Sequence, residues 1–384
     1  MALSARGGPR GPIIALAFIV PLALLATLAI WMLLGAPSPP RTLLGRASAA
    51  AACSEAQVFI GSHSHAHAAH EVPAVLVLTP VKNAAGHLPR FFRNLQGLDY
   101  PRERLAIGLL YSDSDDVPSS AALEDARAAG ALNAQVAAFL ASTDASGATL
   151  SGTAAALLAE VPRLLAQGYA RVTIVRHDFG VKLARAVRHE MAAQGQRRAA
   201  MARSRNHLLV SSLRESDEWV LWVDSDLHSY PADALRQLLS SGRQIVVPNV
   251  VMEPGGRSFD LNSWRLPRTP NNATLEEVRS AHAALAAAAA KRGEAPEALH
   301  LEGYTKTGAL YLHQLRKQEP GERVVRLDAV GGGMLLIDAE LHRHGLTFPS
   351  FPHRHRIETE GLSMIGLDMG VLSYGMPSLE VVHK

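Results

Sequence analysis

Short apolar runs that stop abruptly on polar residues recur along this chain, with helical patterns between them. Few architectures accept such a pattern. Residues 75–78 end on Thr79-Pro80, LAIGLLY on Ser112-Asp113, RVTIV on Arg176-His177-Asp178, and 219–223 on Asp224-Ser225-Asp226; RQIVVPNVV is a further run, carrying Asn249. Uninterrupted apolar runs of this length read as strands buried on both faces. Between them, Leu88, Phe91, Phe92 and Leu95 fall at helical spacing, as do the basic stretch ARSRNHLLVSSL and the later ALRQLLSSG. An Ala-rich stretch, 121–170, has helical propensity broken by Gly and Ser. Strands alternating with helices predict an α/β fold, a Rossmann-type mainly parallel sheet flanked by helices. In such sheets ligands bind at the carboxyl ends of the strands. Thr79, Asp113, Asp224 and Asn249 all sit at predicted strand ends.

The N-terminus sets the expected compartment. No charged residue occurs from Gly11 to Gly35. Residues 12–34, about 23 residues at about 1.5 Å each, would span roughly 34 Å, enough for a bilayer. Arg6 and Arg10 precede the segment and no acid appears before Glu55, which predicts a cytoplasmic tail over 1–11. A cleaved signal peptide competes with this reading, but the run is long for one and no small-x-small site directly follows Trp31 to Leu34. The expectation is an uncleaved signal-anchor and a single-pass type II protein. Residues 35–71, rich in Ala, Ser, Pro and His, read as a flexible stem, and 72–384 as the luminal domain, with an insertion at about 253–322. The stem's SHSHAHAAH tract holds His63, His65, His67 and His70 without a fixed scaffold for a metal. Cys53 is the single cysteine, so no intrachain disulfide forms; pairing with another chain stays open. With 48% hydrophobic residues the chain can bury a sizeable core, and a net charge of +3 argues against a nucleic-acid partner.

The acidic pair carries the chemistry. Residues at i and i+2 of an extended strand face the same way, so Asp224 and Asp226 repel unless a hard cation such as Mn²⁺ or Mg²⁺ lies between them. Acidic turns at strand ends are also common as ordinary solvated turns. A haloacid-dehalogenase-type phosphatase uses a similar Asp-x-Asp but wants Thr or Val where His228 stands here. Gly331-Gly332-Gly333 lacks the following Lys-Ser/Thr of a P-loop, and reads as a place where backbone comes close to a ligand. Asn272-Ala273-Thr274 is a glycosylation sequon, while Thr274 with Glu277 forms a capping box for an Ala-rich helix running to about Lys291.

TPVKNA, YSDSDD, ARSRNHLL, WVLWVDSD, VVPNV, AVGGGMLLI, IETEGLSM and YGMPSLEVVH occur in that order from Pro73 to His383. As an ordered set they resemble the fungal mannan polymerase family of Golgi α-mannosyltransferases. The resemblance implies a GT-A-like fold, GDP-mannose as donor, Mn²⁺ or Mg²⁺, and an α-mannoside acceptor in mannan or N-glycan outer chains, with the α-1,6 linkage read first. It also implies the Golgi membrane as location and other mannosyltransferase subunits as partners, so that a non-catalytic architectural subunit is the competing reading.

Within this resemblance Asp224 and Asp226 hold the metal, with Ser225 beside the diphosphate. His383 is the candidate third ligand, against the plainer reading of a tail residue. Thr79, Pro80, Ser112, Asp113 and Asp116 are expected around the nucleoside, whose N–H and hydroxyl groups suit carboxylate acceptors. Arg205 and Asn206 are expected at the phosphates, since a guanidinium can bind them in bidentate fashion. Asn249, Glu358 and Gly332 are expected on the acceptor side. Glu360 is the candidate for orienting the acceptor hydroxyl. The alternative for Glu358 and Glu360 is to cap a helix over 361–369.

Overall fold

Strands β2 (Val75–Val81) and β3 (Leu105–Tyr111) are buried along nearly their whole length. Such strands need cover above and below. The computed structural model describes residues 57–62, 72–112, 114, 116, 151–181, 190–267, 269–295, 298–301 and 308–383. In it, alternate side chains of β2 enter two separate cores, as the period of a strand requires. Val75 and Val77 pack with Leu88, Phe91, Phe92 and Leu95 of helix α1 (Leu88–Gln96) and with helix α2 (Gly152–Ala166). Leu76 and Leu78 join Leu208 and Leu209 of helix α3 (Met191–Ser212) in the other.

The remaining strands are β1 (Gln57–Ser62), β4 (Arg171–Arg176), β5 (Trp219–Val223), β6 (Ile245–Val251), a short pair β7 (Trp264–Arg265) and β8 (Leu310–Tyr311), β9 (Val325–Leu327), β10 (Met334–Asp338) and β11 (Ser373–Val382). All but the short pair form one nine-stranded sheet in the order β1-β4-β3-β2-β5-β10-β6-β11-β9. The block β4-β3-β2-β5 is parallel, as the alternating strand–helix pattern predicts. Beyond it the sheet is mixed: β10 runs antiparallel to both β5 and β6, β6 and β11 are parallel, and β1 and β9 close the edges antiparallel. No crossover helix precedes β10; it enters straight from the glycine run, so its direction is free of the parallel rule. β1 arises within the stretch expected to be stem and pairs with β4 through Val58, Phe59 and Ile60.

β2 extends past Leu78 through Thr79 and Pro80 to Val81. Pairing with β5 ends at Leu78↔Trp222, while pairing with β3 continues through Pro80↔Leu110. A proline is tolerated there because that side of the strand has become an edge.

Helix α4 (Ala234–Leu239) lies between β5 and β6, and the 253–322 segment holds β7, helix α5 (Leu275–Lys291), β8 and helix α6 (Leu312–Gln318). Asp328 ties it down: its carboxylate takes His282 Nε2 of α5 at 3.0 Å, Arg326 Nη1 at 2.7 Å and the Leu266 N–H at 2.7 Å. Burial alone would raise this carboxyl; the bond from His282 and the bonds and charge of Arg326 outweigh it and hold the group at about 2. Thr274 and Glu277 form the expected capping box. Among the described residues no helix is long and apolar enough to cross a membrane. Residues 1–56, including the expected anchor at 12–34 and Cys53, lie outside the described residues, as do Asp113 and the tract 63–70.

His342, in helix α7 (Ala339–Arg343), is buried beside Trp222 and Phe348. Its Nδ1–H donates to Leu346 O at 2.6 Å, leaving Nε2 to face the Trp222 indole N–H at 3.5 Å. Burial therefore holds this imidazole down at about 4, and protonation would set two donors against each other. As pH falls, the unfolded chain takes up the proton near 6.5 and the folded chain only near 4. Stability is thus full above pH about 6.5 and falls by about 3 kcal/mol on descending to pH 4. His342→Gln should flatten the denaturant-measured stability profile across that window; an unchanged slope would show that His342 is not the titrating group.

Candidate active site

β5 ends at Val223, but its pairing with β10 carries on one residue further, the Asp224 N–H bonding Gly333 O at 2.8 Å just before β10 begins. The antiparallel β5–β10 pair thereby sets the glycine run against the acidic turn. Behind Asp224 stands Arg205 of α3, a buried guanidinium. It donates to Asp224 Oδ1 at 3.0 Å and to Gly332 O at 3.4 Å, and pairs with Glu358. Arg198, two turns earlier on α3, reaches the other Glu358 oxygen at 3.4 Å and Asn262 Oδ1 at 3.0 Å. Glu358, first residue of helix α8 (Glu358–Asp368), has a left-handed backbone with φ +59°. Such a conformation costs a non-glycine residue of order 1–3 kcal/mol, and the two arginines hold it in place.

Two of the three glycines, Gly331 and Gly332, are crowded by neighbouring side chains as well as being open to a ligand. A Cβ on Gly331 would lie 1.4 Å from a carboxylate oxygen of Asp260, and one on Gly332 2.6 Å from Arg205 Nη2. Asp260 is half-buried, and its carboxylate accepts the Asn262 N–H at 2.9 Å. Asp224 keeps 36% of its side chain exposed, yet burial on its other sides, with the charges of Asp226, Glu358 and Asp260, outweighs Arg205 and lifts its carboxyl to about 7. Three carboxylates thus stand near Asp224 with one compensating guanidinium in contact, and a cation in front of Asp224 would relieve the repulsion.

His383 follows β11 as an ordered residue: its N–H bonds to Val251 O at 2.9 Å. Its Nε2 lies 3.3 Å from Asp226 Oδ2, and its ring stacks on Phe259 with centroids 3.6 Å apart. Burial pushes the Asp226 carboxyl up, but the His383 contact overcomes this and leaves it below the usual carboxylate range. Among the described residues no group of three or more His, Cys, Asp and Glu is arranged to hold a metal ion. The donor set nevertheless suits a hard cation that completes its shell with phosphate and water.

Other expected residues are placed differently. Asn206 binds both backbone groups of Phe348, at 2.7 and 2.9 Å, so it ties α3 to that loop rather than facing the site. Asn249 is buried within β6: Ser258 Oγ bonds it at 2.7 Å, and its amide reaches Pro377 O in the β11 bulge at 3.4 Å. Glu360 has no exposed surface and binds the Trp264 indole and Arg356, both at 3.3 Å. Neither Glu358 nor Glu360 caps α8, since both carboxylates are spent on arginines and the indole. Asp116 accepts from Thr153 N, Thr153 Oγ1 and Ala85 N at the start of α2. Thr79 is fully buried, with no hydrogen-bond partner for its hydroxyl among the described residues; Ser112 is buried, and Pro80 and Ser225 are half-buried. Sequence reasoning missed Arg198, Asp260 and Phe259. The last two fall in the segment read as an insertion, where an aromatic–acid pair soon after the 245–251 strand was the only signal.

Residues 59–352, most of the chain, match the Anp1 family. The chain belongs to the Anp1 family. It is 30% identical over 314 residues to the mannan polymerase complex subunit mnn9 of Schizosaccharomyces pombe, covering 80% of this chain and 79% of the relative. It is also 30% identical to the mannan polymerase II complex anp1 subunit of that yeast and 28% identical to the mannan polymerase I complex VAN1 subunit of Saccharomyces cerevisiae. Both alignments cover 80% of this chain, but it spans only 63% and 60% of those two relatives. The family expected from the ordered motifs is therefore the family found. Among solved structures, the mannosyltransferase PcManGT of Pyrobaculum calidifontis, in complex with GDP-Man and Mn²⁺, is 16% identical with a TM-score of 0.37, over 81% of this chain and 56% of that one.

Removing Arg205 should leave Glu358 and Asp224 facing each other without their shared cation. Arg205→Leu is expected to cost about 3–5 kcal/mol in chemical denaturation. Combining it with Glu358→Gln should cost clearly less than the sum of the two single changes. Strict additivity would mean the pair is not coupled.

Proposed function

We propose that this protein is a GT-A-like, metal-dependent retaining glycosyltransferase that moves mannose from GDP-mannose to an α-mannoside acceptor, in α-1,6 linkage. The observation that carries the reading is the Asp224-Ser225-Asp226 turn at the end of β5 with His383 in contact with Asp226, in a chain of the Anp1 family. Asp226, His383 and Asp224 would hold Mn²⁺ or Mg²⁺, which when bound neutralises charge on the leaving nucleoside diphosphate. The chain's own residues supply the rest. Arg205 aims Asp224, and Glu358 aims Arg205. The Gly331–Gly333 backbone gives the sugar close approach while leaving room for Asp260. Among the acids expected to handle the acceptor hydroxyl, Glu360 has no surface to offer. Asp260, half-buried and close to Asp224, takes that place in our reading.

The relatives' names, all of them complex subunits, support other mannosyltransferase subunits as partners. The same names favour the second reading, an architectural subunit without turnover. The uncharged 12–34 segment supports a single-pass type II protein with its catalytic domain in the lumen, and the family resemblance makes the Golgi membrane our choice of location.

Full-length protein supplied with GDP-mannose, Mn²⁺ and an α-mannoside should yield the mannosylated product, and Asp226→Asn should abolish it while leaving the protein folded. In cells, Asp224→Ala should block elongation. Wild-type protein that binds GDP yet transfers no hexose, with elongation surviving Asp224→Ala, would favour the architectural subunit instead.

A further inference from the structure

The turn ahead of α5 carries chemistry that the donor site does not use. Asn271 and Asn272 are adjacent, but only Asn272 has Thr two residues on with a non-proline between, and it is the single such sequon in the 384 residues. The two amides have separate placements. Asn271 is turned into the protein, its Oδ1 accepting the Arg326 N–H at 2.6 Å and Arg265 Nη1 at 3.4 Å. Asn272 is exposed, at the second corner of a turn closed by the Ala273 N–H on Pro270 O at 3.1 Å.

The capping box does not compete for it. Thr274 Oγ1 accepts the Glu277 N–H at 3.3 Å, while Glu277 takes the Thr274 N–H at 2.7 Å. The Asn272 amide has no part in these bonds. Beside it lies an open cavity of about 760 Å³ lined by Asn272, Arg243, Glu319, Glu322 and Tyr374. Arg243 precedes β6 and Tyr374 is the second residue of β11, whereas His383 follows β11. The cavity is thus at the opposite end of the sheet from the acidic turn, and a bulky group there leaves the donor site open.

We propose that Asn272 is an N-glycosylation site whose glycan sits over this cavity, an inference that rests on the luminal reading above. Asn272 Nδ2 would form the bond to the anomeric carbon of an oligosaccharide carried on a lipid diphosphate. The lipid diphosphate leaves with the electron pair of the broken C–O bond, and one amide proton goes to base. Thr274 serves the sequon in the unfolded chain and the helix cap afterwards.

The test uses the full chain expressed in a eukaryotic secretory system, followed by peptide N-glycosidase digestion and gel mobility. Wild type and Thr274→Ser, which keeps both hydroxyl roles, should each lose one glycan on digestion. Asn272→Gln, which keeps the cap and hence the fold, and Thr274→Ala should run at the deglycosylated position throughout. Protease added outside sealed microsomes reports topology. A protected wild-type chain with no shift on digestion overturns the glycosylation while the luminal reading stands. A chain cut from outside overturns both.

Discussion

Arg205 stays ionised at any physiological pH, and a cation with almost no solvent contact persists only where carboxylates meet it. Glu358 and Asp224 do so on two nitrogens of one planar fork. Much of the site follows from that pairing. Helix α3 must bring Arg205 behind the end of β5. Helix α8 must begin with Glu358 in a left-handed conformation so that its carboxylate turns back. The residue at 332 must lack a side chain, because the guanidinium occupies the space a Cβ would need. Arg198 on the same helix face shares Glu358, so the cluster spans two turns of α3 rather than hanging on one contact.

The sheet provides the second constraint. A purely parallel order would have carried the chain away from the acidic turn through another crossover helix. With β10 antiparallel between β5 and β6, the glycine run lies against Asp224, and β6 and β11 deliver Val251 and His383 to the same end. The donor set is thereby assembled from residues far apart in sequence, at strand ends held by a core on both faces. Phe259, stacked on His383, covers one face of the imidazole where its other contacts leave it open to solvent.

Much of this was legible in the residues. The buried strands β2 to β6, helices α1 and α3, the capping box at Thr274 and the acidic turn all announce themselves through apolar period and local chemistry. What could not be read was long-range. Asn206, Asn249 and Glu360 have the right residue types for a binding site, but whether such a side chain faces a ligand or a neighbouring backbone depends on packing across more than a hundred residues for Asn206 and nearly so for Glu360. Arg205 looked like a phosphate ligand because its partners, Glu358 and Gly332, lie far along the chain. Asp260 was hidden for a related reason: it follows β6 in a segment without periodicity, and only its place beside Gly331 and Asp224 marks it. Pro80 misled in the opposite direction, since a proline ends a strand unless pairing on one side has already stopped.

The most direct measurement is calorimetric titration of GDP into the purified protein with and without Mn²⁺. A site that sets Asp224 and Asp226 close to Glu358 and Asp260 is too acidic to accept a diphosphate without a bridging cation. GDP should therefore bind in the presence of Mn²⁺ and lose its affinity when the metal is chelated or when His383 is replaced by Ala. GDP bound equally well without metal, with His383→Ala unaffected, would contradict the account.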